Sequence, residues 1–581
     1  MRGLIGFAGV VMLCGCGTKP PTESFGKLAE EFVYTSLANS PAGATQVGYH
    51  SHHGVALDSE LDDYSDRSIE QQRRWYQDFR IRLASSVDAS SLDAEDRADY
   101  DIVQDQISLS MLEFDTIQSY KHNPALYVEL IGNALYTPFI LEYADKTTRF
   151  QQIIARLLKI PLLVQQAERQ LVSAPEIWNT VAQGENEGNI ALIDQEMHTA
   201  VPAELREDYE TAANGAVKSL HQFNDFLKYK LSKRSYDWQL GSDHYAQKFR
   251  FVLATDQTPR QVLAGAESEL KRVRDQMYQI ALPMYQKLHP DLQGKPALNE
   301  TVSAVLAQIA EKHATPETYF SDARQDLQEA REFVRAKDLL TLPARDNLQV
   351  IETPEFLRGI YSVGGFSAAP ALEPKLGAFY WLTPIPKDWP QARVNSKLRE
   401  YNFYALKLLT IHEAMPGHYV QLEYANDIQP PLRRILRSVF GNGANVEGWA
   451  VYATEMMLDQ GYLDNGPEMR LTFMKQQLRM IANTILDIRL QTMGMTDREA
   501  MDLMLNETFQ ENEEASGKLR RAKLSSTQLP TYYVGWRDWR RVRAVYLKAS
   551  GGGLKEFHER ALKAGAVPLP VLSRLLTGTG L

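Results

Sequence analysis

The segment 412–418 reads HEAMPGH and places two histidines six residues apart at the end of an apolar helical stretch. In the better-known zinc motif, HExxH, the histidines stand four apart and share one face of a helix. Six residues advance an ideal helix by about 600°, so His418 would point roughly 120° away from His412. Pro416 removes an intrahelical donor and Gly417 tolerates unusual dihedral angles, so we expect a backbone bulge that returns His418 to His412.

A carboxylate on a later helix is expected to complete the ligand set. Glu447 opens a second apolar stretch, whose small residues Gly448, Ala450 and Ala453 allow close packing against the first helix. Two histidines and one glutamate with an open fourth position are typical of catalytic zinc, whereas structural zinc usually closes its shell with cysteines. The sequence therefore predicts one zinc ion per chain, bound by the two histidines and Glu447.

Glu413 directly follows the first histidine, so on a helix it points about 100° away from that residue. In this position it can approach a water molecule at the metal without binding the ion, and we predict that it is the general base. Glu455 shares the helix face of Glu447, and it either orients an imidazole or is an ordinary helix carboxylate. The other histidines, such as His244, show no ligand spacing and are predicted to be surface or core residues.

The remaining pattern is mainly helical up to about residue 345, with apolar residues three and four apart. Two short runs, 348–351 and 377–382, are typical of β-strands. A single core rarely grows past ~250–300 residues, so 581 residues indicate two lobes, or one catalytic body with a helical annex. The predicted organisation is a signal peptide at 1–15, a flexible tether at 16–24, an N-terminal helical region at 25–345 and a catalytic region at 346–581.

The beginning of the chain has the pattern of an exported, lipid-anchored protein. Arg2 precedes an apolar run at 4–13, which is too short to span a bilayer and is typical of a signal peptide. The run ends in Cys14-Gly15-Cys16, which resembles the bacterial lipobox and predicts lipidation of Cys16; a plain secretory signal is the alternative. Because Gly17 is not an aspartate, the sorting rule for such proteins favours the outer membrane, facing the periplasm.

Composition excludes several other classes of protein. The formal net charge is −10, so the chain lacks the basic surface that neutralises the phosphates of a nucleic acid. Cys14 lies in the predicted signal peptide and Cys16 would carry the lipid, which leaves no disulfide, thiolate metal site or cysteine nucleophile. We expect membrane contact through the N-terminal lipid only and a peptide or small amide as substrate, with the oligomeric state left open.

Two blocks of the sequence resemble the domain of unknown function 885 family. Members of that family carry HEAxPGH followed by EGWAxY, and this chain has HEAMPGH at 412–418 and EGWAVY at 447–452. The likeness extends to an early block at 41–50 and a closing block at 557–569. Family members are largely bacterial lipoproteins related to zinc metallopeptidases of the gluzincin type. The resemblance implies a mainly α fold, with a large helical zinc-metallopeptidase-like body and a small β-sheet beside the active-site helix.

The same resemblance extends to a C-terminal block, QAxxYxxG followed by an arginine. Tyr532 takes the position of the family tyrosine and is a candidate to donate a hydrogen bond to a developing oxyanion; its neighbour Tyr533 is the alternative. Arg543 takes the place of the arginine and is a candidate substrate contact. The chain has Gln491 where the family often has a histidine, which leaves substrate specificity open.

These features together predict a zinc-dependent metallopeptidase. We expect the strand at 377–382 to lie at a sheet edge, where an extended peptide can pair with it, and Tyr380 to contact that peptide. Endopeptidase, dipeptidase and carboxypeptidase action remain open. The alternatives are a zinc hydrolase of another amide or ester, and a non-catalytic envelope lipoprotein that binds a ligand. The intact Glu413 argues against the last, because binding alone needs no base beside the ligands.

Overall fold

The computed structural model describes residues 23–291, 293–359 and 361–581. The predicted signal peptide, Cys16 and most of the tether lie outside these residues. The first half of the described chain is helical: α1 (Phe25–Ala38), α2 (Pro41–Gln46), α3 (Asp66–Ser86), α4 (Ala94–Leu112), α5 (Ser119–His122), α6 (Pro124–Ile140), α7 (Lys146–Gln170), α8 (Glu176–Ala191), α9 (His198–Ala200), α10 (Arg206–Tyr229), α11 (Gly241–Leu253), α12 (Pro259–Leu288), α13 (Leu298–Ile309) and α14 (Tyr319–Ala336).

The second half contains a small sheet followed by further helices. Its helices are α15 (Gln391–Glu400), α16 (Phe403–Glu413), α17 (His418–Ala425), α18 (Pro431–Ser438), α19 (Gly443–Asp459), α20 (Pro467–Thr492), α21 (Asp497–Asp502), α22 (Asn512–Leu524), α23 (Pro530–Ser550), α24 (Leu554–Lys563) and α25 (Leu569–Thr577). The strands of the whole described chain are β1 (Ser51–His52), β2 (Val55–Ala56), β3 (Leu348–Glu352), β4 (Gly364–Ser367) and β5 (Ala378–Leu382). The mainly α fold class with a small sheet is confirmed.

Two hydrophobic cores organise these elements. Helices α6, α7, α8 and α10 enclose one core, in which Ile153, Leu157 and Ile160 of α7 are fully buried, as their spacing of three and four predicts. The other core joins the remaining N-terminal helices to the C-terminal half; α12, for example, packs on α20. Helices from both sides of residue 345 share this core, as in the expected alternative of one catalytic body with a helical annex, and the boundary at residue 345 stays a prediction.

The three-stranded sheet has the order β3-β5-β4, with β5 parallel to β3 and antiparallel to β4. The strands predicted at 348–351 and 377–382 are confirmed as β3 and β5. The expectation that the second of them lies at a sheet edge is wrong, because β5 is paired on both sides and all its residues are buried. Strand β4 was not predicted, since its first residue, Gly364, reads as a turn signal. Gly364 has φ +156°, and a Cβ there would lie 2.3 Å from the carbonyl oxygen of Trp381.

The helix that carries the first histidine is held between the sheet and α14. It begins where the side chain of Asn402 accepts hydrogen bonds from the backbone N–H groups of Tyr404 and Ala405. Its buried Lys407 forms ion pairs with Asp326 and Glu329 of α14. These contacts fix the helix on which the candidate metal ligands depend. None of the helices within the described ranges combines the length and apolar character needed to cross a lipid bilayer.

Candidate metal centre

The two histidines are brought together by a complete break in the helix. Helix α16 ends at Glu413, the backbone leaves the helical region at Ala414, and α17 begins at His418. The N–H of Gly417 donates to the carbonyl of Ile411 at 2.9 Å, so the linker folds back over the last turn of α16. A Cβ at Gly417 would lie 1.8 Å from the carbonyl oxygen of His412, and only glycine fits there. The expected bulge is thus a tight turn between two helices.

This turn places His412 and His418 on either side of one glutamate. The Nε2 atom of each histidine lies 3.5 Å from Oε2 of Glu447, and the three ligand atoms all lie within 4.8 Å of one another. Tetrahedral zinc with bonds of ~2.0–2.2 Å separates neighbouring ligand atoms by roughly 3.4 Å. The three predicted ligands therefore have a spacing that suits a metal ion.

The state of Glu447 also fits a metal ligand. Its Oε2 atom is buried and has no hydrogen-bond partner among the residues described. Burial alone would raise the pKa of this carboxyl group, but the two imidazoles reverse that effect and hold the pKa well below its usual range. A buried anionic oxygen without a hydrogen bond is costly unless a cation completes its environment. The donor set of two imidazoles and one carboxylate is one that zinc accepts.

The imidazole of His418 departs from the usual arrangement of a metal-bound histidine. Such a ring normally donates its second N–H to a fixed acceptor, yet Nδ1 of His418 has no partner in the described part of the chain. Glu455 does not supply one, because its carboxylate accepts the indole N–H of Trp536 at 2.9 Å. The possibility that Glu455 orients a metal ligand is therefore wrong; it joins α19 to α23 instead.

Helix α19 explains why the EGW sequence accompanies the HEAMPGH turn. Two residues after the glutamate, the indole N–H of Trp449 donates to the carbonyl of Pro416 at 2.9 Å and to that of Gly417 at 3.2 Å. One helix thus supplies a metal ligand and also fixes the linker that positions another. Helix α19 also packs closely against α23. A Cβ on Gly535 of α23 would lie 2.0 Å from the carbonyl oxygen of Ala444 in α19.

Glu413 and Tyr532 reach a cavity that one of the candidate metal ligands also lines. This cavity of about 140 Å³ is lined by His412, Glu413 and Tyr532, among other residues. The ring of Tyr532 stacks on that of His412, with 6.2 Å between their centroids. Burial and the nearby carboxylate of Glu447 raise the pKa of the Tyr532 hydroxyl, which therefore keeps its proton and remains a hydrogen-bond donor. Tyr533 packs against Trp536 instead and does not line the cavity.

The structure places the other predicted substrate contacts away from this cavity. Tyr380 is fully buried and its hydroxyl lies 3.4 Å from that of Thr410, so it supports α16 rather than meeting a substrate. The guanidinium of Arg543 lies over the ring of Tyr452, 5.9 Å from its centroid, and does not line the cavity. Both predictions are corrected by these positions. Gln491 is likewise structural: its side chain accepts from the N–H of Leu240 at 2.9 Å.

Sequence reasoning missed the part of the cavity wall that is formed by α20 and α22. This wall is lined by Arg479 and Asn483 of α20 and by Lys518 and Arg521 of α22. The four residues stand in ordinary amphipathic helices, where charged residues are normally exposed to solvent. The spacing of Arg479 and Asn483, and of Lys518 and Arg521, places each pair on one helix face, which was the only signal available.

The fold and the site define a class of large helical proteins in which a broken helix and a later helix bring two histidines and a glutamate within 4.8 Å of one another. Within that class, the chain belongs to a family of bacterial proteins of unknown function, DUF885, whose model matches residues 41–576. A search of the curated proteins finds no match.

Two solved structures share this fold. A protein from Shewanella oneidensis, described as a candidate lipoprotein of unknown function, is 28% identical; the match covers 95% of this chain and 99% of that one, with a TM-score of 0.78. A candidate lipoprotein from Colwellia psychrerythraea is 18% identical and shares the fold, with 96% and 99% coverage and a TM-score of 0.76. The fold therefore extends over nearly the whole of both proteins.

Proposed function

We propose that the protein is a zinc-dependent hydrolase of the bacterial cell envelope, and that it cleaves peptides. The observation that carries this proposal is the convergence of five side chains. The three candidate metal ligands, His412, His418 and Glu447, lie within 4.8 Å of one another, and His412 shares one cavity with a carboxylate, Glu413, and a protonated phenol, Tyr532. A binding protein would need neither the carboxylate nor the phenol beside its ligand site, whereas amide hydrolysis uses both.

Each side chain has a distinct task in hydrolysis. Zinc bound by the three ligands supplies Lewis acidity, which lowers the pKa of a water molecule and polarises a carbonyl. Glu413 takes a proton from the attacking water and passes it to the leaving amine. The hydroxyl of Tyr532 donates a hydrogen bond to the carbonyl oxygen as negative charge develops on it. The carbon–nitrogen bond breaks. The hydroxyl group of the water becomes part of the new carboxylate, and the proton goes to the amine.

Strand β4 offers a surface for an extended peptide. It is an outer strand of the three-stranded sheet, and its first residue, Gly364, lines the cavity together with the preceding Val363. A peptide laid along this edge would pair its main chain with β4 while presenting one carbonyl to the metal ligands. Strand β4 thereby takes the role that sequence analysis assigned to the segment 377–382.

Zinc content is the first test of the ligand assignment. The purified protein should hold one zinc ion per chain, measured by elemental analysis, and a chelator should remove the ion and the activity together. Substituting His412→Ala or His418→Ala should abolish zinc binding, because two ligands rarely hold this ion. The exposed His244→Ala is the matched control and should keep its zinc. Full zinc content in both ligand variants would contradict the assignment.

Activity is tested with a peptide library whose products are identified by mass spectrometry. Cleavage that needs zinc would support a peptidase. A zinc-loaded protein that cleaves no peptide would favour the alternative of a non-peptide amide or ester as substrate. The same assay can include simple amides and esters, so that one experiment compares the two substrate classes.

We also propose that the protein is lipid-anchored at Cys16, in the outer membrane facing the periplasm. The lipobox-like sequence and the similarity to candidate lipoproteins support this location. Cys16→Ser should move the protein from the membrane fraction to a soluble fraction without lowering its unfolding temperature, since residue 16 precedes the first helix of the fold. Fractionation of cells followed by immunoblotting measures this. Undiminished membrane binding of the variant would exclude the lipid anchor.

A further inference from the structure

The part of the cavity wall formed by α20 and α22 carries three cationic side chains, Arg479, Lys518 and Arg521. Lys518 lines this wall and is only 6% exposed, yet within the described ranges its ammonium group has no hydrogen-bond or ion-pair partner. Burying a charge without a partner is among the most costly arrangements in a protein. Burial and the nearby guanidinium groups of Arg479 and Arg521 all lower the pKa of Lys518. Burial of Lys518 therefore destabilises the folded protein, and an anionic ligand bound beside its ammonium group would offset this cost.

The adjacent cation, Arg521, is only weakly satisfied by the protein. It stands one turn from Lys518 on α22, and its guanidinium donates to Oε1 of Gln528 at a long 3.4 Å. Burial lowers the pKa of Arg521, but Tyr532, which is also within reach of a side-chain hydrogen bond, and Glu447 raise it above its usual value, which places Arg521 next to the candidate centre. The remaining cation of the wall, Arg479, differs, because it is paired with Glu514 and donates to the hydroxyl of Tyr401 at 2.7 Å.

The same cavity offers an unused acceptor and an apolar side. Oδ1 of Asn483 is buried and has no hydrogen-bond partner among described residues, and the side chain lines the cavity. Leu409, Val451 and Phe473 form apolar parts of the lining. A volume of about 140 Å³ resembles the ~150 Å³ cavities that hold a benzene ring. The space suits one apolar side chain rather than a long stretch of peptide.

We propose that Lys518 and Arg521 bind a carboxylate of the substrate, namely the free C-terminal carboxylate of a peptide that ends in an apolar residue. The inference rests on the proposed peptidase function and adds the mode of cleavage to it. One residue spans at most ~3.6 Å, so a carboxylate held beside Tyr532 lies one residue beyond the carbonyl that is attacked. Hydrolysis then releases a single amino acid from the C-terminus.

The test compares acetylated tripeptides that differ only at their C-terminal end. One ends in phenylalanine with a free carboxylate, the second in phenylalanine amide, and the third in glutamic acid whose α-carboxylate is amidated. The wild type should cleave the first with a kcat/KM about 10²-fold above the second, because each charge-assisted contact is worth roughly 10–100-fold. Lys518→Met should reduce this preference to below about tenfold by slowing only the free acid.

The exposed Arg520 of the same helix provides the matched control, and Arg520→Met should keep the full preference. Because Lys518→Met removes a buried amino group that has no hydrogen-bond partner, the unfolding temperature of this variant should equal or exceed that of the wild type. Arg521→Gln is a second variant with the same expected loss of preference. Equal cleavage of acid and amide by the wild type, or equal slowing of both by Lys518→Met, would overturn the proposal. Efficient cleavage of the glutamic acid amide would assign the carboxylate to a side chain and overturn the C-terminal assignment.

A binding measurement separates this proposal from the proposed function. N-acetyl-phenylalanine and its amide are titrated into the zinc-depleted protein by calorimetry. Tighter binding of the acid, lost in Lys518→Met, would support the carboxylate site even if no peptide were hydrolysed and the peptidase function had failed. Equal affinity for acid and amide would overturn the carboxylate site whether or not peptides are cleaved.

Discussion

Replacing Glu413 with glutamine should leave one zinc ion per chain bound and lower peptide hydrolysis by about 10²–10⁴-fold, the usual effect of losing a general base. The amide has nearly the same shape as the carboxylate but cannot accept the proton of the attacking water. The side chain is buried, lines the cavity and is not one of the three candidate ligands. Zinc content and kcat/KM, measured on the same preparation, check the two parts of this result.

Glu447→Gln is the comparison that makes the result specific. This substitution replaces the charged ligand by a neutral carbonyl, so the zinc affinity itself should fall, and activity should be recovered in part by excess zinc. The two variants thus differ in the quantity that falls: hydrolysis with zinc still bound in Glu413→Gln, and zinc affinity in Glu447→Gln. An active Glu413→Gln enzyme, or wild-type zinc affinity in Glu447→Gln, would show that the roles of base and ligand have been assigned wrongly.

Gly417→Ala should lower zinc binding as strongly as Glu447→Gln and activity as strongly as either glutamate substitution, although it adds only one methyl group. The added Cβ would lie 1.8 Å from the carbonyl oxygen of His412 and 2.4 Å from that of Ile411. Both obstacles are backbone atoms at the end of α16, so no side chain can move aside. The turn must open, which separates the two histidines, and we expect loss of zinc together with a destabilisation of at least ~1–3 kcal/mol.

Gly443→Ala is the matched control, because Gly443 begins α19, the helix that carries Glu447. A Cβ at Gly443 would meet its nearest atom, Cγ2 of Thr531, at 3.9 Å, which is an ordinary contact. This variant should keep zinc and unfold within about 0.5 kcal/mol of the wild type. Zinc content and urea unfolding measure both variants. Normal zinc binding in Gly417→Ala would mean that the turn is not what holds the two histidines together.

The candidate ligands could be chosen from the sequence because their chemistry leaves few choices. Two histidines beside a Pro-Gly pair, followed by a glutamate in an apolar helix, have a spacing that requires a turn, and the structure contains that turn. The sequence alone could not decide between Tyr532 and Tyr533, since neighbouring residues on a helix differ by only about 100° in direction and either could face the site. In the structure Tyr532 alone of the two faces His412.

Long-range packing accounts for what the sequence did not predict. Strand order depends on which segments meet in space, so the central position of β5 and the burial of Tyr380 were not visible in the local pattern. Lys518 has the same appearance in sequence as any charged helix residue. Its significance comes from the helices that cover it, because no carboxylate in the described part of the chain lies within ion-pair distance of its ammonium group, although Glu514 and Glu447 are close enough to raise its pKa.

The contact between α19 and α23 has a consequence for how members of such a family diverge. The Cα atom of Gly448 lies so near Gly535 that a Cβ on either residue would strike the backbone of the other helix. The separation of Glu447 and Tyr532 is therefore set by main-chain contact and not by the size of interchangeable side chains. Another part of the cavity wall is formed by side chains of α20 and α22. Substitutions there can exchange one substrate preference for another while the reacting groups keep their positions, so new specificities can arise in small steps without first rebuilding the chemistry.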